Sequence, residues 1–270
     1  MKDQVSENRW TIFVDADNTL WDTDKVFSEA QLSLLDSAES VTSKKAATKD
    51  RLAFVRELDQ LIAEKHHARL RYPPRLLVRA VGLALAGTAP KVAAKLAWSN
   101  TSKDLTAIDP IHEKKIEQQF FSDLKSFPKL REGVAKGLPE LSILGCRIVM
   151  FTEGSREKCD LVLKHYDLRQ YFDQIFEGPK NLETFGRLKL LNTFSHPAIV
   201  IGDQLDRDIG PAKQAGMITI YFPGGFRPKW QADHESVLPD YQIQSFEQVV
   251  EVVRQTWEAE AGRVDVRKIP

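Results

Sequence analysis

The sequence predicts an α/β protein built on a doubly wound parallel sheet, with an all-helical insertion after the first strand. Three observations lead to this prediction. Short apolar runs rich in β-branched residues alternate with helical patterns in the second half of the chain, which is typical of parallel strands buried on both faces. The roughly one hundred residues after the first such run contain no convincing strand. Polar residues follow the main runs directly.

Five apolar runs are predicted to form the sheet. The first spans residues 10–15 (WTIFVD) and combines β-branched and aromatic residues before a polar turn. The later runs are residues 146–151, 174–176, 198–202 and 217–222, of which 174–176 is the weakest. Helical patterns at residues 155–166, 183–194 and 208–215 separate these runs, which gives the strand–helix–strand alternation of a doubly wound fold.

Residues 24–130 are predicted to form a separate helical domain. Its helical patterns lie at residues 26–37, 49–71, 74–86, 90–99 and 111–125. Pro73, Pro74 and Pro90 mark helix starts, because proline is tolerated in the first turn of a helix. The chain therefore divides into a core of residues 1–23 and 131–270 and a helical insertion of residues 24–130.

The composition excludes several classes of protein. The 270 residues include 38 basic and 38 acidic side chains, so the whole-chain charge favours neither a nucleic-acid partner nor a membrane surface. Cys146 and Cys159 are too few for a disulfide framework or a four-cysteine metal site, and we expect a cytoplasmic location. The most apolar stretch, residues 76–98, contains charged residues and Pro90, so membrane insertion is not expected.

Polar side chains follow four of the predicted strands. In chain order they are Asp15 and Asp17, then Thr152, then Lys180, then Asp203 and Asp208. The carboxyl ends of parallel strands meet at one edge of a sheet, so these groups should converge on one crevice. Carboxylates held together repel each other, and a divalent cation relieves the repulsion. Oxygen ligands of this kind suit Mg²⁺, which is the cofactor that we expect.

This order of motifs resembles the haloacid dehalogenase-like (HAD) hydrolase superfamily. The resemblance is carried by DxDxT after an apolar strand, at residues 15–19, and by a late GDxxxxD, at residues 202–208. It extends over residues 10–222, and residues 239–250 resemble the superfamily's last strand and helix. It implies a Rossmann-like core with a helical cap of the C1 type, inserted between the first two motifs.

The resemblance implies a role in phosphoryl transfer for each motif residue. Asp15 would be the nucleophile that forms an aspartyl-phosphate. Asp17 would protonate the leaving alkoxide and then activate water. Thr152 would hydrogen-bond the phosphoryl oxygens, and Lys180 would offset their charge. Lys189 is a second candidate for the motif lysine, since the sequence around Lys180 departs from the commoner form of the motif.

The resemblance also implies the ligands of the magnesium ion. Asp15 would bind it, together with the main-chain carbonyl of Asp17. Asp203 would bind it directly, and Asp208 would bind it through water or orient the other ligands. Asp206 lies in the same loop, but its spacing does not fit the motif.

The acid at Asp17 indicates which of the reactions found in this superfamily to expect. An alkoxide leaving group needs a proton and a halide does not, so the acid at Asp17 favours phosphomonoester hydrolysis over cleavage of a carbon–halogen bond. The expected substrate is a small phosphorylated metabolite or nucleotide. Hydrolysis at nucleic-acid ends and a non-catalytic binding module of the same fold are the alternatives. Phosphonate cleavage with a cap lysine and phosphomutase chemistry also stay open.

Substrate choice is expected to depend on the cap. Residues 65–103 hold eight basic side chains and no acidic one. Arg71, Arg75 and Arg79 recur every four residues, which would place them on one helical face as candidate contacts to an anionic substrate. A solvated helix face is the alternative interpretation. Trp21, which follows the nucleophile loop, is a further candidate substrate contact.

Overall fold

The computed structural model describes residues 10–67, 69–98, 108–191, 198–230 and 236–266. The chain divides into two units. The first comprises Met1–Thr23, Pro128–Arg227 and Gln231–Pro270, and the second comprises Asp24–Phe127 and Pro228–Trp230. In the described residues, no helix combines the length and the apolar character that a membrane span requires.

A parallel six-stranded sheet forms the centre of the first unit, in the order β3-β2-β1-β4-β5-β6. This confirms the predicted α/β class. The strands are β1 (Thr11–Val14), β2 (Arg147–Thr152), β3 (Gln174–Glu177), β4 (Ile199–Gly202), β5 (Ile218–Tyr221) and β6 (Tyr241–Gln242). β1 pairs with β2 on one side and β4 on the other, so the loop after β1 leaves from the middle of the sheet.

Ten α-helices occur in the described residues. They are α1 (Thr23–Thr42), α2 (Arg51–Ala63), α3 (Arg75–Leu85), α4 (Pro90–Leu96), α5 (Pro110–Asp123), α6 (Val134–Ile143), α7 (Arg156–His165), α8 (Leu182–Leu191), α9 (Gly210–Gln214) and α10 (Gln248–Val266). Side chains alternate across a strand, so Ile12 and Val14 pack on one face of the sheet with α6, α7 and α10. Phe13 packs on the other face with α8 and α9.

The second unit is helical and has an apolar core of its own. Helices α1 to α4 contribute most of its fully buried side chains, among them Leu34, Leu58 and Leu77. The predicted boundaries place residues 228–230 in the other unit. They join the helical unit because the backbone N–H of Lys229 donates to Gln60 Oε1 at 3.0 Å and the Arg69 guanidinium lies 5.1 Å from the Trp230 ring.

The predicted helix over residues 49–71 is wrong in its second half. α2 ends at Ala63, and a separate 3₁₀ turn covers Arg69–Arg71. Arg69 has φ +51°, which an α-helix cannot continue through. α6 has no counterpart in the sequence prediction, because it carries Pro139 inside it and an internal proline normally ends a helix.

The chain leaves the first unit and re-enters it at one place. The backbone N–H of Asp22 donates to the carbonyl of Lys129 at 2.8 Å. Trp21 forms an antiparallel bridge with Leu130. The two linking segments, around Asp22 and Lys129, therefore run side by side.

Glu39 of α1 is a buried carboxylate that should contribute measurably to stability. It accepts hydrogen bonds from Ala46 N at 3.0 Å, Lys45 Nζ at 2.8 Å and Arg51 at 2.9 Å. Burial raises the pKa of Glu39, but these partners outweigh burial and leave the pKa below its ordinary value of 4.5. The charged form is thus the one that the fold stabilises.

We expect Glu39→Gln to lower the free energy of unfolding by about 1–2 kcal/mol at pH 7. Because the folded-state pKa is the lower one, this contribution is present above pH 4.5 and is lost as the pH falls through the folded-state value. Denaturant unfolding at pH 7 and at acid pH measures the difference. Glu29→Gln, which removes an exposed carboxylate 3.9 Å from Lys25, is the control and should change stability by less than ~0.5 kcal/mol. Equal stabilities of wild type and Glu39→Gln at pH 7 would contradict this prediction.

Candidate active site

Five buried polar side chains meet where the first four strands end. They are Asp15, Thr152, Lys180, Asp203 and Asp208. The strand order explains the meeting, because β1 lies between β2 and β4 and its loop is flanked by theirs. The structure therefore brings together residues that are far apart in the sequence.

Lys180 lies between two of the carboxylates. Its Nζ donates to Asp15 Oδ1 and, at 2.5 Å, to Asp208 Oδ1. Burial lowers the pKa of Lys180, but the two carboxylates outweigh burial and raise the pKa above its ordinary value. The ammonium group therefore stays charged. Lys189 lies elsewhere, since its Nζ donates to the carbonyl of Ala215 at 2.9 Å.

Three carboxylates crowd around this ammonium group. Asp15, Asp203 and Asp208 each offer an oxygen, and these oxygens lie within 4.8 Å of one another. Burial, reinforced by the neighbouring carboxylates and opposed by Lys180, raises the pKa of Asp15 to about 7 and that of Asp203 well above its ordinary value. Asp203 Oδ1 is buried and receives no hydrogen bond within the described part of the chain. Closely spaced oxygen donors with an unpaired buried atom fit a hard divalent cation such as Mg²⁺.

Asp208 is held in place by a compact turn. Residues Leu205–Ile209 form a π-helical turn, in which Asp208 Oδ2 accepts from Gln204 N at 3.0 Å. The side chain folds back against Gly202, where any Cβ would overlap it. This close approach is why glycine is needed at the end of β4.

Asp17 lies beside the cluster and is oriented by its own loop. Its Oδ1 accepts from Trp21 Nε1 at 3.1 Å and from Thr23 Oγ1 at 2.6 Å. Asn18, at φ +58°, turns the chain so that its N–H reaches the carbonyl of Trp21 at 2.8 Å. Asparagine tolerates this left-handed conformation better than most residues. Trp21, a candidate substrate contact, is 2% exposed, and its indole N–H donates to Asp17.

Gly154 brings Thr152 and Asp17 together. Thr152 Oγ1 accepts from Gly154 N at 2.9 Å. A Cβ on Gly154 would lie 3.1 Å from Asp17 Oδ2 and 3.2 Å from Thr152 Oγ1. The Thr152 hydroxyl also hydrogen-bonds the thiol of Cys159, whose pKa burial raises to about 12. That cysteine is therefore a neutral thiol and not a nucleophile.

Arg131 supports the site from outside the predicted motifs. It donates to the carbonyls of Asn18, Phe222 and Pro223 and lies over the Phe222 ring. The loop fixed in this way brings Gly224 so close that a Cβ there would lie 2.6 Å from Asp203 Oδ2. The sequence carries no signal for this role, because the partners of Arg131 are main-chain oxygens.

The three arginines predicted as substrate contacts do not share one helical face. Arg71 belongs to the 3₁₀ turn, while Arg75 begins α3 after the prolines at 73 and 74. Arg79 Nε donates to Glu113 Oε2 at 2.8 Å, so its charge is paired within the helical unit. Arg71 and Arg75 have exposed side chains. Lys103, the last basic residue of the stretch, lies outside the described residues.

The chain is similar in sequence to a family model and to several known proteins. A family model described as haloacid dehalogenase-like hydrolase matches residues 11–216. The glyceraldehyde 3-phosphate phosphatase of Methanopyrus kandleri is 24% identical over 251 residues, which are 90% of this chain and 97% of that protein. The glyceraldehyde 3-phosphate phosphatase of Methanocaldococcus jannaschii is 29% identical over 126 residues, which are 44% of this chain and only 54% of that protein.

Solved structures share the fold. A haloacid dehalogenase-like family hydrolase from Xanthomonas campestris superposes with a TM-score of 0.61 at 17% identity, covering 96% of this chain and 100% of that one. The HAD-hydrolase YfnB from Bacillus subtilis, solved bound to magnesium, gives a TM-score of 0.59 at 18% identity, covering 91% of this chain and 98% of that one. At identities of 17% and 18%, the likeness to these structures shows the shared fold alone.

Proposed function

The chain belongs to the haloacid dehalogenase-like hydrolases, and from that premise we propose that it is a magnesium-dependent phosphomonoesterase that works through an aspartyl-phosphate on Asp15. The observation that carries the proposal is the cluster of Asp15, Asp203 and Asp208 around Lys180. This cluster of three carboxylates and one ammonium group can bind a cation and hold a phosphoryl group next to a carboxylate oxygen of Asp15.

Asp15 and Asp17 divide the chemistry of the first step. A carboxylate oxygen of Asp15 attacks phosphorus, and the bond from phosphorus to the ester oxygen breaks. Asp17 delivers the proton that the departing alkoxide needs. Hydrogen bonds from Trp21 and Thr23 to Asp17 Oδ1 hold that carboxyl group in one orientation. A carboxylic acid at this place suits an alcohol leaving group.

The second step hydrolyses the aspartyl-phosphate and regenerates Asp15. Asp17, now a carboxylate, accepts a proton from the attacking water. Thr152 donates to the phosphoryl oxygens, and Lys180 offsets their charge in both steps. Asp15, Asp203, Asp208 and the main-chain carbonyl of Asp17 would hold Mg²⁺, which supplies further neutralisation of phosphoryl charge when it is bound.

The substrate is a small phosphorylated metabolite. The support comes from the archaeal relatives, which are named glyceraldehyde 3-phosphate phosphatases. Glyceraldehyde 3-phosphate and other phosphoesters of three-carbon compounds are therefore the first substrates to test. Nucleotides and longer sugar phosphates follow.

Removal of the metal should abolish phosphate release. We expect the protein with Mg²⁺ to release phosphate from at least one ester of the panel, and EDTA to lower the rate by at least ~10²-fold, because three buried carboxylates then face the phosphoryl group without a cation. Added excess Mg²⁺ should restore the rate. Colorimetric phosphate determination measures both effects.

Two results would contradict the proposal. One is phosphate release that EDTA leaves unchanged. The other is no release from any ester by folded, magnesium-loaded protein. A 2-haloacid serves as the control substrate, and we expect no halide release from it.

A further inference from the structure

Glu153 connects the loops that carry the charged residues of the site. It follows Thr152 at the end of β2, and its Oε1 accepts the backbone N–H of Lys180 at 3.0 Å. The same oxygen forms an ion pair with Arg207, the residue directly before Asp208. One carboxylate thus contacts the main chain of Lys180 on one side and the neighbour of Asp208 on the other.

Lys180 lies beyond the paired part of β3, so its backbone position depends on contacts outside the sheet. β2 and β3 pair as far as Thr152 and Glu177, and the N–H of Gly178 still reaches the carbonyl of Thr152 at 3.0 Å. Successive N–H groups of a strand alternate between its two sides, so the position of Pro179 faces away from β2. The Glu153 side chain takes the next available donor, which is the N–H of Lys180.

The Lys180–Asp208 contact also spans strands that do not pair. Lys180 follows β3 and Asp208 follows β4, and β2 and β1 lie between these strands. The main-chain hydrogen bonds of the sheet therefore do not set the distance between the two loops. Glu153 directly follows β2, one of the intervening strands, and contacts both loops.

We propose that Glu153 is a positioning residue, which holds Lys180 between Asp15 and Asp208 by fixing its backbone and by anchoring the Asp208 loop through Arg207. The hydrogen bond to Lys180 carries most of this role. The pair with Arg207 carries less of it, because the Arg207 side chain is 45% exposed and solvent and salt weaken such a pair. The kinetic consequence rests on the phosphatase function proposed above.

Substitutions at Glu153 test the role. Glu153→Ala should lower kcat by ~10–100-fold with KM changed by less than ~3-fold, because a displaced Lys180 stabilises the transition state poorly. Glu153→Gln keeps an acceptor oxygen and should retain at least about a third of wild-type kcat. Arg207→Gln should lower kcat by less than ~5-fold.

Glu177→Ala is the matched control. Glu177 ends the neighbouring strand, and its Oε2 accepts the backbone N–H of Arg156 at 2.8 Å. Its loss removes a carboxylate with the same kind of contact at the same edge of the sheet, and we expect wild-type kcat. A folded Glu153→Ala protein with wild-type kcat, or Glu153→Gln as impaired as Glu153→Ala, would overturn the proposal.

Hydrogen exchange tests the contact without any turnover. The Lys180 amide should exchange faster in Glu153→Ala than in wild type and at a near-wild-type rate in Glu153→Gln, as measured by NMR or on the peptide that contains it. If wild type hydrolyses no phosphoester, the proposed function fails, and this exchange rate still decides whether Glu153 fixes Lys180. Unchanged exchange at Lys180 in Glu153→Ala would overturn the positioning role by itself.

Discussion

Replacing Asp15 with Asn should lower kcat for phosphate release by at least ~10⁴-fold, the largest effect that we expect from any single substitution. An amide oxygen does not form the acyl phosphate, so the two-step route is closed. The replacement nearly preserves shape, and it removes one of three crowded buried carboxylates. The variant should therefore unfold, in the absence of metal, at a temperature equal to or above that of wild type.

Rates with excess Mg²⁺ and thermal unfolding in EDTA measure these two effects separately. Asp206→Asn is the control, because it removes a half-buried carboxylate in the same loop as Asp203 and Asp208. It should keep its rate within ~3-fold of wild type, as expected for a group outside the reaction. If Asp15→Asn kept appreciable activity, another nucleophile or direct attack by water would have to replace the aspartyl-phosphate route.

Replacing Asp17 with Asn should have an effect that depends on the leaving group. Alkyl phosphates need a proton on the departing oxygen, so their turnover should fall by ~10²–10⁴-fold. p-Nitrophenyl phosphate has a leaving group that departs without a proton, so Asp15 should still be phosphorylated by it. Hydrolysis of the aspartyl-phosphate also needs Asp17, and the phosphorylated protein should accumulate.

Rapid mixing with p-nitrophenyl phosphate should show one equivalent of nitrophenolate per protein, followed by slow turnover. Mass spectrometry should find the added phosphoryl group on the peptide that contains Asp15. Asp22→Asn removes a nearby carboxylate outside the proposed machinery and should behave as wild type with both substrates. Equal losses for both leaving groups, without accumulation, would mean that Asp17 acts in some way other than proton transfer.

The residues of the candidate site could be predicted because a parallel sheet places the residues that follow its strands at one edge. An apolar strand followed by a polar residue is visible in the sequence, and parallel pairing places all such residues at one edge. Asp15, Lys180, Asp203 and Asp208 do meet there, and Thr152 ends β2 at the same edge. Of the two candidate lysines, Lys180 precedes α8 and contacts the carboxylates, whereas Lys189 lies within α8 and bonds Ala215.

The supporting contacts could not be predicted, because one partner in most of them is the main chain. Arg131 is bound to three carbonyls, and Glu153 to the N–H of Lys180. Neither contact produces a recognisable pattern of side-chain types in the sequence. The prediction of Trp21 as a substrate contact rests on its place after the Asp15 loop, and sequence alone does not show that its indole N–H donates to Asp17. The spacing of Arg71, Arg75 and Arg79 predicts one helical face, but Arg71 lies in a 3₁₀ turn that ends before α3 begins at Arg75.

The adjacent linking segments at Asp22 and Lys129 have a consequence for how the protein folds. β1 must find β2 across the whole insertion, pairing Thr11 with Arg147. An unstructured loop of that size costs about 4 kcal/mol of closure entropy. An insertion that folds first, around its own apolar core, presents its two flanks side by side and removes most of that cost. The length of the insertion then has little effect on the free energy of pairing β1 with β2. The same core could therefore accept inserts of very different size between these two strands.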